Sequence, residues 1–307
     1  MSSIDAALPG RTAGFPLQPS TWAGPTSHLY QIRDLIYQVA GILQPDHRLE
    51  FLEKRCQKRM AATGATGLQD YYDLLTRSAR RTTEMTELLN EITIGETFFF
   101  RNLPQIEALR KVILPAVVEN KLRLPFSKIR VWSAGCSTGE EAYTLAILFM
   151  EEAAALKNIK FEVHATDLNE RSLEKARAGI YGDYATRNLS LQLRQKYFTP
   201  HGDGKLLAVK DTVKSAVQFS RVNLLDDSRM TFMKNMDVIF CCNVMIYFDG
   251  AARTKVVQHF YNNLLPKSYL FLGHSESLFS INQQFQLVHF PGATAYYKPD
   301  KPAGGGL

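Results

Sequence analysis

Short apolar runs alternate with helical segments from Lys128 to Leu272, and this alternation constrains the fold more than any other feature of the chain. Strands that alternate with helices imply right-handed crossovers and a parallel sheet covered on both faces, so we predict an α/β fold. The predicted strands are Lys128–Ala134, Phe161–Thr166, Val217–Val222, Met236–Asn243 and Tyr269–Leu272. The predicted helices are about Asn102–Lys121, Gly139–Ala155, Asn169–Ala178 and Gly250–Leu264.

The regions on either side of this alternating stretch differ from it in composition and in hydrophobic spacing. Residues 1–27 are rich in Pro, Gly, Ser and Thr, which is typical of disorder, whereas Leu49, Leu52, Cys56 and Met60 recur at helical spacing. A turn at 201–204 indicates a hairpin where the alternation stops. The predicted boundaries are a disordered tail at 1–27, a helical domain at 28–90, a linker at 91–103, an α/β domain at 104–298 with a β-containing insertion at about 180–216, and a flexible tail at 299–307.

Charge and cysteine content restrict the function classes. The net charge of +6 is modest, and no zinc-finger spacing, long basic block or RNA-recognition signature accompanies it, so we predict no nucleic-acid partner. The four cysteines, with Cys241 and Cys242 adjacent in an apolar run, predict small buried side chains in a reducing compartment and no metal site. The apolar run Ala142–Met150 is too short to span a bilayer, and we predict a soluble, cytoplasmic protein without membrane insertion.

The turn Ala134–Glu141 (AGCSTGEE) connects the first predicted strand to a helix. In a doubly wound sheet this turn borders the ligand crevice. Gly135 and Gly139 do not match the G-x-G-x-x-G spacing of a nicotinamide dinucleotide site. Glu140 and Glu141 would also repel a pyrophosphate at the helix N-terminus. The pattern therefore disfavours a dinucleotide.

The same turn matches the G-x-S-x-G motif of serine hydrolases, with Ser137 as the nucleophile. Asp249 and His274 follow in the required chain order. However, no His-Gly-Gly oxyanion loop precedes the turn, and Glu140 and Glu141 would disfavour an oxyanion nearby. A hydrolase remains the alternative hypothesis.

A third hypothesis is S-adenosylmethionine, which carries no phosphate. Its sulfonium and ammonium groups are cationic, so carboxylates at the crevice would favour it, and Glu140 also suits a helix N-terminus. Glu141 is interpreted as an ordinary helix-start residue. The ribose of this ligand needs an acidic partner at the end of the second strand, where Asp167 lies. Asn169 is available to cap the next helix instead of Asp167.

Several segments, taken in this order, resemble the CheR family of chemotaxis receptor methyltransferases. The segments are Ile94–Arg101 (IGETFFFR), Val131–Glu141, Asn223–Leu225, Cys242–Asp249 (CNVMIYFD) and Gly273–Glu276 (GHSE). The resemblance covers about residues 30–298. It implies a Rossmann-like S-adenosylmethionine-dependent methyltransferase sheet, an N-terminal helical domain and a small inserted β subdomain.

The resemblance also implies the residues of the site. Arg101 and Tyr247 are the predicted catalytic residues, and the linker at 91–103 would contribute to the cofactor site. The predicted cofactor residues are Thr97, Arg101, Glu140, Asp167, Asn223, Leu224, Cys242 and Asn243. One departure concerns Gly95, because many family members carry Asn at this position. Phe98, Phe99 and Phe100 are more typical of core packing than of adenine stacking.

The implied reaction converts glutamate side chains of chemoreceptors into methyl esters and leaves S-adenosylhomocysteine. A carboxylate is already a nucleophile at neutral pH, so no general base is required. Arg48, Arg55 and Arg59 recur on one helical face, which we predict to attract acidic receptor helices. A protein that binds the cofactor without catalysis is a further alternative.

Overall fold

The computed structural model describes residues 25–93, 95–123 and 127–300. The chain divides into two compact units, 1–94 and 95–307. The predicted N-terminal tail lies outside the described residues up to residue 24, and the first helix begins at Pro25, within that predicted tail. The predicted C-terminal tail lies outside the described residues from residue 301 onward.

The first unit consists of helices in its described part. These are α1 (Pro25–Ala40), α2 (Leu49–Thr63), α3 (Leu68–Thr76) and α4 (Arg81–Ile92), with a short 3-10 turn at Asp46–Arg48. Leu52 and Cys56 of α2 and Leu88 of α4 are buried, as the helical spacing requires. The Arg59 guanidinium binds both carboxylate oxygens of Glu84 at 2.9 and 2.7 Å, which ties α2 to α4.

The second unit alternates helices and strands. Its helices are α5 (Leu103–Ala108), α6 (Leu114–Leu122), α7 (Glu140–Glu151), α8 (Glu170–Ala178), α9 (Asp183–Thr186), α10 (Leu191–Tyr197), α11 (Asp211–Lys214), α12 (Asp227–Met230) and α13 (Gly250–Asn263). A π-helical segment, Leu109–Ile113, joins α5 to α6. The strands are β1 (Lys128–Ala134), β2 (Lys160–Asp167), β3 (Ile180–Tyr181), β4 (Phe198–His201), β5 (Leu206–Val209), β6 (Val217–Arg221), β7 (Met236–Cys241), β8 (Leu264–Leu272), β9 (Gln286–Phe290) and β10 (Ala293–Lys298).

Among the described residues, a seven-stranded sheet has the order β6-β2-β1-β7-β8-β10-β9. The strands β6, β2, β1, β7 and β8 are parallel, and β10 pairs antiparallel with both β8 and β9. The carboxyl ends of the five parallel strands therefore meet at one edge of the sheet. The predicted α/β fold with a parallel sheet is confirmed, and it is extended by an antiparallel edge that the sequence analysis did not identify.

Helices cover both faces of this sheet because alternate strand residues point to opposite sides. Ile129 and Val131 of β1 pack in a core with α6 and α7. Trp132 and Ala134 pack in a second core with α13. Both cores are built from the apolar runs that predicted the strands. By packing on the two faces of the sheet, they hold the strands in place, and with them the edge at which the site lies.

The strands β3, β5 and β4 form a separate antiparallel sheet. These strands lie between residues 180 and 209, inside the span interpreted as a β-containing insertion. The side chain of Tyr181 in β3 reaches back to the larger sheet, since its hydroxyl donates to the Thr138 carbonyl at 2.7 Å. The small sheet is thereby anchored to the turn after β1.

Two further observations concern the cysteines and the possibility of a membrane-spanning helix. Cys56, Cys136 and Cys241 are buried, Cys242 is half-buried, and all four carry free thiols. In the described ranges, no helix has the length and apolarity that crossing a membrane would require.

Candidate active site

The predicted site residues follow the carboxyl ends of the parallel strands or precede α5. Because these strand ends share one edge of the sheet, their loops line one crevice. The structure places Glu140 after β1, Asp167 at the end of β2, Asn223 and Leu224 after β6, Cys242, Asn243 and Tyr247 after β7, and Thr97 and Arg101 in the segment before α5.

The turn after β1 is held tightly against β2. The N–H groups of Gly135 and Cys136 both donate to the Thr166 carbonyl, at 2.7 and 2.9 Å. Gly135 has φ +80°, and a Cβ there would lie 2.3 Å from a methyl group of Val244. Only glycine allows this approach, so the turn and the loop after β7 pack closely together.

Asp167 connects the two strand ends by hydrogen bonds. One carboxylate oxygen accepts the Ser137 N–H and the other accepts the Asn169 N–H, each at 2.8 Å. Burial raises the pKa of Asp167, and these two bonds oppose that rise. A carboxylate has about four acceptor positions, so Asp167 retains capacity for ligand hydroxyls. As predicted, Asn169 caps α8 by accepting the Ser172 N–H at 2.9 Å.

The two glutamates at the start of α7 have different environments. Glu140 is 3% exposed, accepts the Thr138 hydroxyl at 2.7 Å, and has its pKa raised by burial. Glu141 accepts the Ser133 hydroxyl at 2.6 Å, and burial raises the pKa of its carboxyl to about 7. The interpretation of Glu141 as an ordinary helix-start residue was therefore incomplete, because its carboxyl group is held against β1.

Glu276 organises the loop after β7, a role that the sequence analysis missed. One of its carboxylate oxygens accepts the N–H groups of Asn243 and Gly273, at 2.9 and 2.7 Å. The other accepts the Met245 N–H at 2.8 Å. Asn243 itself has φ 62°, an uncommon conformation that these bonds stabilise. The available signal was an acidic residue shortly after the end of an apolar strand.

The turn after β6 is also held by a residue that lies far along the chain. The Asn223 side chain accepts the Leu225 N–H at 3.0 Å, and Leu224 is buried. The Leu224 carbonyl lies 2.8 Å from Nδ1 of His259 in α13. No local sequence pattern indicates this contact, because the two residues are 35 positions apart.

The segment before α5 packs on α7 and on the small sheet. Phe99 is buried against Tyr181 and Phe198, with ring centroids 5.0 and 5.2 Å away, as expected for a core residue. The Phe100 N–H donates to the Thr144 hydroxyl of α7 at 3.1 Å.

The two predicted catalytic residues differ in setting. Arg101 is exposed, donates to the Glu96 carbonyl, and its charge favours the ionised form of Glu141. Tyr247 is half-buried in a 3-10 turn, Met245–Tyr247, directly after Asn243 and Val244. In the same loop, the Cys242 thiol donates to the Gln105 side chain at 3.5 Å.

Gly95, the position at which the sequence departs from the family pattern, lies directly beside Ser137. A Cβ on Gly95 would lie 2.1 Å from Oγ and 2.9 Å from Cβ of Ser137. The Ser137 side chain thus fills the space that a larger residue at position 95 needs.

The hydrolase hypothesis is not supported by this geometry. Among the described residues, the buried Ser137 hydroxyl has no hydrogen-bond partner, so no histidine activates it. Asp249 instead caps α13 by accepting the Ala252 N–H at 2.8 Å, and His274 is exposed. The described ranges also contain no cluster of His, Cys, Asp and Glu suited to a metal ion.

The crevice fits S-adenosylmethionine better than a nucleotide phosphate. Glu140 and Asp167 are acidic groups at the helix start and the adjacent strand end, where a pyrophosphate would have to lie. The same acids would attract a cationic ligand and accept ribose hydroxyls.

Comparisons with known proteins agree with this assignment. The model described as "CheR methyltransferase, SAM binding domain" matches residues 95–293, and "CheR methyltransferase, all-alpha domain" matches residues 27–93. Chemotaxis protein methyltransferase 2 of Vibrio cholerae is 35% identical over 271 residues, which cover 88% of this chain and 92% of the relative. The chemotaxis protein methyltransferase of Escherichia coli is 34% identical over 274 residues, covering 88% and 90%. That of Borreliella burgdorferi is 35% identical, covering 81% and 88%. On these matches, the chain belongs to the CheR methyltransferase family.

Proposed function

We propose that this protein transfers a methyl group from S-adenosylmethionine to glutamate side chains of chemoreceptors, forming methyl esters and S-adenosylhomocysteine. The observation that carries the proposal is the convergence of Glu140, Asp167, Leu224 and Asn243 at one edge of the sheet, in a chain of the CheR family. The names of the relatives support the acceptor class.

The protein needs no nucleophile of its own for this reaction. Burial raises the pKa values of the Cys136, Cys241 and Cys242 thiols well above the usual value, so these groups stay protonated and unreactive. The Ser137 hydroxyl has no base beside it in the described chain. An acceptor carboxylate, with an ordinary pKa of about 4.3, arrives already ionised.

The residues of the site would act by binding and alignment. When bound, the cofactor supplies a methyl group on a cationic sulfur. Asp167 would accept the ribose hydroxyls, and Glu140 would attract the positive charge. Arg101 would bind the incoming glutamate carboxylate with its fork of donors, and Tyr247 would orient it by a hydrogen bond. Alignment and exclusion of water are the expected sources of rate enhancement.

Receptor docking on the first unit is a separate part of the proposal. The guanidinium carbons of Arg48 and Arg55 lie 4.9 and 4.8 Å from the centre of the Phe51 ring, which they flank. Arg59, which the sequence analysis grouped with them, is bound to Glu84, and its side chain is 13% exposed. We therefore propose Arg48, Phe51 and Arg55 as the docking face, without Arg59.

Charge reversal tests this docking face. The double variant Arg48→Glu, Arg55→Glu should raise the KM for receptor fragments at low salt and leave the affinity for S-adenosylhomocysteine unchanged. Lys54→Glu, at an exposed neighbouring position on α2, is the matched control. An unchanged KM at low salt in the double variant would exclude the docking face.

The function itself is tested by incubating the protein with methyl-labelled S-adenosylmethionine and receptor-containing membranes. Label that appears on the receptors and is released by mild base identifies a glutamate methyl ester. Binding of S-adenosylhomocysteine without such label would favour the alternative of a cofactor-binding protein without catalysis. We place the reaction in the cytoplasm, where free thiols such as these four persist.

A further inference from the structure

His259 lies in a polar bridge between α13 and the turn after β6. Its Nδ1 is 2.8 Å from the Leu224 carbonyl, and its Nε2 is 2.8 Å from a carboxylate oxygen of Asp227. The other oxygen of Asp227 binds the Lys255 ammonium at 2.9 Å. The histidine is 9% exposed, so protein groups rather than water satisfy both of its ring nitrogens.

Both partners of His259 are hydrogen-bond acceptors. A carbonyl oxygen has no proton to donate, and the hydrogen bond from Lys255 lowers the pKa of Asp227, which keeps its carboxylate ionised. Each contact is therefore favourable when the ring nitrogen donates an N–H group.

The Leu224 carbonyl belongs to the turn assigned to the cofactor. Leu224 follows Asn223, and the tight turn is closed by the Asp226 N–H, which donates to the Asn223 carbonyl at 3.0 Å. Asp227 is the first residue of α12, so His259 holds both ends of the segment from Leu224 to Asp227. A shift of this carbonyl would move the peptide groups that are expected to contact adenine.

We propose that His259 is a positioning residue that holds the turn Asn223–Leu225 in the shape required for cofactor binding. This inference rests on the proposed function of the crevice. The charged groups that face His259 are Asp227 on α12 and Lys255 on α13, and Lys234 lines the same surface groove of about 720 Å³.

Two substitutions separate the contacts of His259. In His259→Asn the side-chain amide replaces Nδ1, so the bond to Leu224 is retained. In His259→Gln the amide reaches the position of Nε2, so the bond to Asp227 is retained and the bond to Leu224 is lost. Gln258→Ala, whose side chain lines the same groove and donates to Asn262, is the matched control.

The experiment is calorimetric titration of S-adenosylhomocysteine into the full chain, with the melting temperature of each free variant as a second measurement. His259→Gln should bind about 3- to 10-fold more weakly than wild type, the loss expected for one hydrogen bond. His259→Asn should bind within about 2-fold of wild type.

Each variant retains one of the two contacts of His259, so the comparison between them isolates the bond to Leu224. If His259→Gln binds as tightly as wild type, or if His259→Asn binds as weakly as His259→Gln, the proposal is wrong. If either variant fails to fold, the other decides. Failure of wild type to bind would instead contradict the proposed function.

Discussion

The Glu276 carboxylate accepts the backbone N–H of Asn243 at 2.9 Å, and the same oxygen accepts the N–H of Gly273. One acidic side chain after β8 thereby fixes the loop after β7, which carries three predicted site residues, Cys242, Asn243 and Tyr247. We therefore expect a substitution of Glu276, which is not itself a predicted cofactor residue, to weaken cofactor binding.

Glu276→Gln replaces one acceptor oxygen by an NH2 group, which leaves at least one of the three backbone N–H groups without an acceptor. We expect the free energy of unfolding to fall by about 1–3 kcal/mol, the cost of an unsatisfied buried donor, and S-adenosylhomocysteine to bind several-fold more weakly. Urea denaturation and calorimetry measure the two effects. Glu119→Gln, in an exposed ion pair with Arg123, is the control. Equal effects of the two substitutions would contradict the role of Glu276.

The raised pKa of Glu141 makes the stability of the fold depend on pH. The folded state binds a proton up to about pH 7, whereas an ordinary glutamate releases it near pH 4.5. The unfolded state therefore holds fewer protons between these values, and the free energy of unfolding decreases as the pH rises through this window. The full shift corresponds to about 3 kcal/mol.

Glu141→Gln keeps an acceptor for the Ser133 hydroxyl and cannot ionise. The decrease in stability of wild type between pH 5 and pH 7.5 should accordingly be smaller in this variant. Urea denaturation at several pH values measures the difference. Identical slopes in the two proteins would show that Glu141 titrates normally in the folded state.

The close approach of Gly95 to Ser137 predicts a cost for any side chain at position 95. Gly95→Ala should lower the free energy of unfolding by about 1–3 kcal/mol, because the new Cβ forces the Ser137 hydroxyl from its position. The double variant with Ser137→Ala should recover part of this loss, so the two effects are not additive. Thermal denaturation of the single and double variants measures the coupling. Additive losses would mean that the two side chains do not compete for space.

Arg101 is predicted to bind the acceptor carboxylate through its fork of donors. Arg101→Lys keeps the charge but loses the fork, so we expect kcat/KM for receptor methylation to fall at least about tenfold. The affinity for S-adenosylhomocysteine should change less than the methylation rate. Arg123→Lys, at an exposed position directly after α6, is the control. A rate equal to wild type would remove Arg101 from the catalytic assignment.

The strands that border the crevice were predictable because they are apolar runs that end at turn or acidic residues. The start and end of β1 agree with the structure, and β2, β6 and β7 differ by one or two residues. By contrast, β9 and β10 were missed. Every residue of β9 is exposed or half-buried, so its sequence lacks the apolar run that the other strands have.

Other differences arise from tertiary contacts. The helix α7 ends at Glu151 and not at Ala155, and the alanines at 153–155, which favour a helix, are exposed. The roles of Glu276 and His259 depend on partners 33 and 35 residues away, which no periodicity reports. The sequence therefore predicted which loops meet, whereas it did not predict which side chains hold them in place.

The acids of the crevice should bind a cofactor without phosphate, and calorimetry measures this binding. S-adenosylhomocysteine and NAD are titrated separately into wild type and into Asp167→Asn. Wild type should bind one equivalent of S-adenosylhomocysteine, the variant should bind it more weakly, and NAD should give no binding heat. Binding of NAD by wild type, or no binding of S-adenosylhomocysteine, would contradict this expectation.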